Sequence, residues 1–168
     1  MRAPYELFLA QSRSDFRMFR RLDNIEIEPC DPLHYLQMAT EKLAKADYLR
    51  SGQSTRLSHL GFVRFLRMFI NRSGVAIKRI APLFHIRSVD GFLALIRSFL
   101  PLAHSLESLA PAIAGMAGPN PEYPWPSDAP TETPCDYPWP LWDELRQGRG
   151  RQLVEFVGRS LDHFEQLA

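Results

Sequence analysis

"DPLHYLQMATEKLAKADYLRSG", residues 31–52, is the stretch on which the fold turns. Asp31 offers an oxygen suited to an N-cap, and Pro32 stands at the first helical position, where its missing N–H costs nothing. Gly52 comes just past the last periodic residue and marks the end. Between these signals Leu36, Ala39, Leu43 and Ala46 step by three and four, the spacing that lines up one helical face. His34, Gln37, Glu41 and Lys45 run parallel to them as a polar row.

Outward from this helix the same period recurs. Residues 5–22 place Leu9, Phe16 and Phe19 at helical spacing among polar residues, which predicts a helix ahead of it. Beyond it, residues 58–71 put Phe62, Phe65, Leu66, Phe69 and Ile70 inward and Arg64, Arg67 and Asn71 outward, until Ser73 and Gly74 break the pattern. A shorter piece over 75–86 contains Pro82 and is expected to kink or end there. Ser88 then caps a long apolar helix that Pro101 and Pro111 are expected to interrupt. Residues 118–142 hold eight of the 14 prolines, so this segment is expected to be an extended loop. After Gly148 and Gly150, Leu153, Phe156, Val157, Leu161 and Phe164 restore the period. The chain therefore predicts an all-α fold: five or six helices in one domain, residues 1–168, with a long Pro/Trp-rich excursion before the last helix.

That excursion writes acid-Tyr-Pro-Trp-Pro twice, at 122–126 and 136–140. One reading is a rigid strap whose Tyr and Trp rings cover the open end of the bundle, the pentads lying antiparallel as a loose hairpin. The other is a platform for bases or a peptide. Acidic residues around the rings disfavour nucleic acid and favour the strap.

The net charge of +1 excludes a protein that is basic overall, yet the charges are segregated. Residues 48–89 carry eight Lys or Arg and no acid, and residues 118–145 carry six acids and no base. The basic run is either a solvated helix face docked by the protein's own acidic strap or a platform for RNA phosphates. No secretory leader, no membrane span and no disulfide framework are indicated, which makes a cytoplasmic location the expectation. Cys30, His34 and Cys135 fall short of the four ligands of a zinc site, so no metal and no cofactor are expected, and the two thiols are read as buried.

"LHYLQMATEKLAKA", residues 33–46, resembles the helix signature of HEPN (higher eukaryotes and prokaryotes nucleotide-binding) domains, through His34, Gln37, Glu41-Lys42 and Lys45-Ala46. The resemblance implies a helical bundle, often a homodimer, of the kind found in toxin–antitoxin, defence or nucleotidyltransferase-associated systems. It also implies that some members cut RNA without metal, using an Arg followed after four to six residues by a His. Such a His can move the proton of a 2′-hydroxyl while the Arg stabilises the phosphoryl oxygens. Arg97 with His104 fits that spacing, and so does Arg79 with His85. With 17 arginines and five histidines, about one or two such pairs arise by accident. Ser98 after Arg97 favours the first pair; Pro101 within its spacer counts against it.

Three functions follow as expectations. The first is an accessory module binding a nucleotide, RNA or partner protein through His34, Gln37, Glu41, Lys45, Arg64 and Arg67. The second is a metal-independent endoribonuclease built on Arg97 and His104. The third is a structural interaction protein whose basic and acidic segments neutralise each other.

Overall fold

A computed structural model of the chain describes residues 2–53, 61–111, 118–125 and 133–167. The protein is all-α. Seven α-helices stand among the described residues: α1 (Pro4–Leu22), α2 (Cys30–Arg50), α3 (Gly61–Ile70), α4 (Gly74–Ile80), α5 (Val89–Ser108), α6 (Pro140–Leu145) and α7 (Gly148–Asp162). A 3-10 turn, Ala81–Phe84, continues α4, and another, Phe164–Leu167, closes the chain. The count exceeds the five or six expected because the segment read as loop to residue 142 turns helical at Pro140, whose fixed φ suits a first helical position. Gly148 and Gly150, read as preceding the last helix, lie within its first turn.

Central in the bundle is α2, buried on nearly every side. Leu33, Leu36, Ala39, Leu43, Ala44 and Ala46 are fully buried, together with Gln37, Thr40 and Asp47. The helix begins at Cys30, one residue before the expected cap: Pro29 is the N-cap residue, and the Leu33 N–H closes the first turn on the Pro29 carbonyl. Asp31 therefore sits inside the first turn, where its carboxylate meets the positive end of the helix dipole. Gly52 follows the helix with φ of +73°, the left-handed region that a side chain would resist.

Against α2 packs α1, held by the Ser12 hydroxyl donating to the Ala39 carbonyl at 2.6 Å and by Lys42 paired with Asp15 at 2.5 Å. From the other end of α2, Arg50 pairs with buried Asp47 at 2.7 Å and lies 4.1 Å above the Phe164 ring, tying the closing turn to the core. Four phenylalanines surround Phe69 edge-on: Phe65, Phe84, Phe92 and Phe156, at 5.2, 6.5, 5.8 and 5.8 Å between ring centres. One ring thus joins α3, the first 3-10 turn, α5 and α7.

Ser88 caps α5 as expected, accepting from the Gly91 N–H at 3.0 Å. The expected interruption at Pro101 does not occur, and α5 runs unbroken to Ser108. Pro101 faces solvent, so water can satisfy the carbonyl that loses its helical partner. By length and composition alone this helix is apolar enough to cross a membrane, with a mean hydropathy of 1.2 over an 18-residue window. Its Glu107 is nevertheless buried against α3, where Oε1 accepts the Val63 N–H at 2.8 Å. A carboxylate from one helix thereby satisfies donors in the first turn of another.

Burial raises the Glu107 pKa above the ordinary carboxylate value, and the Val63 and Phe62 N–H groups only partly offset it. A carboxyl whose folded pKa is raised contributes stability below the unfolded pKa and loses it as pH rises through the folded one. Glu107→Gln keeps an acceptor for Val63 without the charge. Its melting temperature relative to wild type is expected to climb by a few degrees from acid to neutral pH, as thermal unfolding at both pH values would report. At Gly150 a methyl group would lie 2.0 Å from the Glu144 carbonyl oxygen and 2.4 Å from the Leu145 Cα. Gly150→Ala must then push α6 from α7, an overpacking cost of about 1–3 kcal/mol that denaturant titration would measure.

Candidate anion-binding groove

The contact of α1 with α7 depends on a missing side chain. A methyl group at Gly158 would come within 3.1 Å of Phe16, so glycine lets that ring lie directly on α7. Arg13 spans the same seam, donating to the Leu161 carbonyl at 2.7 Å. Along the solvent side of this seam runs a concavity of about 530 Å³ bordered by Arg20, Arg151, Arg159 and His163. A second concavity of about 290 Å³ shares Arg20 and Arg151 with it and adds Arg146, Asp23 and Trp142.

The charges along the joined groove are unevenly matched. Asp23 is shared between Arg20 at 4.0 Å and Arg146 at 3.8 Å, both long and partly exposed pairs. Arg146 also rests on the Trp142 ring at 5.2 Å. Arg159 is paired with exposed Glu155 at 2.9 Å. Arg151 donates to the neutral carbonyl of Arg146 at 3.0 Å and makes no ion pair among the described residues. Exposed pairs of this kind contribute about 0–1 kcal/mol, so a phosphate could displace them at small cost. Guanidinium is also the group whose geometry suits phosphate oxygens best.

The residues singled out in the sequence are placed differently. In the polar row, Gln37 and Glu41 are buried; the Gln37 amide donates to Glu41 Oε2 at 3.0 Å, and Lys45 bonds Glu41 Oε1. Lys45 also stands 6.0 Å from the Phe8 ring. His34 Nδ1 lies 3.3 Å from Glu122 Oε1, close enough for an ion pair when protonated but off the line of a hydrogen bond. Arg64 lies over the Tyr48 ring at 4.8 Å and donates to Gln53 at 3.0 Å. Arg67 is exposed near the Glu107 carboxyl. Arg56 lies outside the described residues. Arg97 and His104 are both exposed on one face of α5, about two turns apart. Arg79 borders one concavity and His85 another. His163, readable as plain surface, lines the groove. Cys30 is buried, but Cys135, also read as buried, is exposed. Among the described residues, no three metal-ligating side chains gather.

The described parts of the excursion are a strap. Trp125 and Trp139 are buried, their rings 6.0 Å apart, and Tyr137 meets both at 5.6 and 5.0 Å. Trp139 has a left-handed φ of +45°, held by burial and by its indole N–H donating to the Pro134 carbonyl at 2.7 Å. The strap's Glu122 meets His34 of α2 rather than the arginines of α3 and α4, which was the expected destination of its acids. Residues 126–132, with Asp128 and Glu132, lie outside the described residues.

The groove arginines escaped the sequence reading because they come from opposite ends of the chain. The available signals were the cluster Arg17, Arg20, Arg21 and the cluster Arg146, Arg149, Arg151. Compared with family models, with curated proteins and with solved structures, the chain gives no match.

Trp139→Ala is expected to cost about 3–5 kcal/mol of folding stability by emptying a fully enclosed site. Tyr123→Ala, at a ring that is 60% exposed, should stay within about 0.5 kcal/mol of wild type. Urea titration of both variants distinguishes a covering strap from a free aromatic platform.

Proposed function

We propose that the protein is an HEPN-like helical module that holds the phosphates of an RNA or a nucleotide in the groove between α1 and α7, as an accessory to a partner rather than as an enzyme. The observation that carries this reading is Arg151, which makes no ion pair among the described residues and borders both concavities, one with Arg20 and Arg159 and the other with Arg20 and Arg146. The groove carries four guanidinium groups, Arg20, Arg146, Arg151 and Arg159, against three carboxylates, Asp23, Glu155 and Asp162. Such a surface recognises backbone phosphates more than base identity. In this reading the α2 polar row supports the fold instead of touching the ligand, since Glu41 is already held by Gln37 and Lys45.

A second reading, metal-independent cleavage of RNA, is favoured by one observation: Arg97 and His104 share an exposed face of α5. Seven residues along a helix separate them by about 10 Å along its axis, so one phosphate would have to lie across two turns, or a second subunit would have to complete the site. A homodimer, implied by the family resemblance, would provide that second copy.

Fluorescence anisotropy with labelled single-stranded and hairpin RNA, and with a labelled nucleotide, in excess chelator tests both readings. Arg20→Ala with Arg151→Ala is expected to weaken binding at least about tenfold and to lower the slope of log K against log salt by about 1 to 2. Unchanged affinity in that double variant would remove the groove from the reading. RNA cleavage lost in both Arg97→Ala and His104→Ala would replace the accessory role by the nuclease.

A further inference from the structure

Glu155 and Arg159 border the arginine groove and also a further hollow of about 220 Å³. Its floor is aromatic, formed by buried Phe84 and Phe156, which stack on each other at 4.5 Å. Half-buried Ile86 and Leu95 add apolar wall, and exposed His85, Gln152 and Glu155 supply polar groups. A site that encloses a whole small molecule measures about 300–1,000 Å³, so this hollow suits one ring system and leaves the rest of its ligand outside. His85 has a left-handed φ of +58°. Its N–H donates to the Pro82 carbonyl at 3.0 Å, and the Ile86 N–H donates to the Ala81 carbonyl at 3.1 Å, which together hold that conformation. A side chain kept in so sparsely populated a region, at the edge of an apolar hollow, is the kind of strain that collects at ligand sites.

The polar groups offer a donor beside an acceptor. The Gln152 carbonyl oxygen accepts from Arg149 at 2.8 Å, which leaves the amide N–H groups to donate. Three residues on, and so on the same face of α7, Glu155 receives Nε and Nη2 of Arg159 on Oε1, at 3.2 and 2.9 Å. Its Oε2 makes no hydrogen bond among the described residues. We propose that this hollow is a guanine-binding subsite, filled by the base of a guanine nucleotide or of a single-stranded RNA whose phosphates lie in the adjoining arginine groove. The inference rests on the phosphate-binding reading and names the base that goes with it. On its Watson–Crick edge guanine sets two adjacent donors, N1–H and the 2-amino group, against a carboxylate, and its O6 accepts from an amide. The other three bases place only one donor on that edge. The His85 imidazole, at the rim, supplies a ring on which a base can stack. Phosphate and base binding reinforce each other: a phosphate that draws Arg159 into the groove releases Oε1, and the whole carboxylate can then face the two guanine donors.

The test titrates the full chain, in excess chelator, with inorganic pyrophosphate, GDP and ADP by calorimetry and with the labelled strands UUGUU and UUAUU by anisotropy. GDP is expected to bind at least about fivefold more tightly than either ADP or pyrophosphate. Glu155→Gln should erase the preference for GDP over ADP while pyrophosphate binds no more weakly, because the substitution takes a negative charge out of the groove. His85→Gly removes the imidazole but suits the left-handed φ, so its melting temperature should not fall. Its affinity for GDP should nevertheless drop at least about fivefold. A preference for UUGUU over UUAUU larger than that for GDP over ADP marks a strand as the source of the base, and the reverse marks the free nucleotide. Three results would each overturn the subsite and leave the phosphate groove standing: GDP, ADP and pyrophosphate bound alike, a GDP preference that survives Glu155→Gln, or an unchanged GDP affinity in His85→Gly. Failure of the wild type to bind any of these probes would overturn the groove, and the subsite with it.

Discussion

The edge-on packing around Phe69 is the contact on which the rest of the structure depends. A ring that receives the edges of four others can do so only if the segments carrying them approach from different directions. Here they come from α3 itself, the first 3-10 turn, α5 and α7, and Phe156 also stacks on Phe84 at 4.5 Å. Offset and edge-on aromatic pairs add about 0.5–1.5 kcal/mol each beyond the area they bury, and their geometry is directional in a way that aliphatic packing is not. Once Phe156 is placed, the opposite face of α7 is turned toward α1, and the seam that carries the arginine groove follows. The groove is thus a consequence of how the core closes, although none of its charged residues belongs to the core.

Charge is divided by the same logic between groups that build and groups that remain available. In the basic run, Arg50 is committed to Asp47 and Phe164, Arg64 to Tyr48 and Gln53, and Arg72 to Met68 and Phe69. Burial pulls the Arg72 guanidinium below its ordinary value, the mark of a cation used as packing surface. Along the groove, Arg20 and Arg146 reach Asp23 only at 4.0 and 3.8 Å, exposed pairs that a ligand could displace at little cost. Counting charges along the chain gives the run at 48–89 more weight than the folded molecule does, because a count cannot separate a spent guanidinium from a free one.

The strap converts a composition that discourages regular structure into a lid. Prolines limit the freedom of the segment before it docks, which lowers the entropy lost, and the two Trp rings with Tyr137 pack together where it is described. It also meets α2 through a polar contact, Glu122 Oε1 lying 3.3 Å from His34 Nδ1.

The helices were legible in the sequence because each carries its own period and punctuation: Ser88 before α5, Ser73 and Gly74 before α4, Gly52 after α2. The twin Trp-Pro pentads were likewise legible as a covering element, since large rings on stiff backbone have few other uses in a helical protein. The helical turn at Pro140 was not, because a proline that ends one structure also starts another, and only the seat of Trp139 against the core decides which. Nor did Pro101 declare that it would face solvent. The candidate groove lay further out of reach still. Arg20 and Arg151 are 131 positions apart, and what brings them together is the shape of Phe16 on Gly158, a contact between residues that carry no charge. Local chemistry is written in the order of the residues, and so the sequence by itself determined the all-α class and the position of the strap. Which arginines stand beside each other, and which cysteine is buried and which exposed, depends on distances that only the closed core sets.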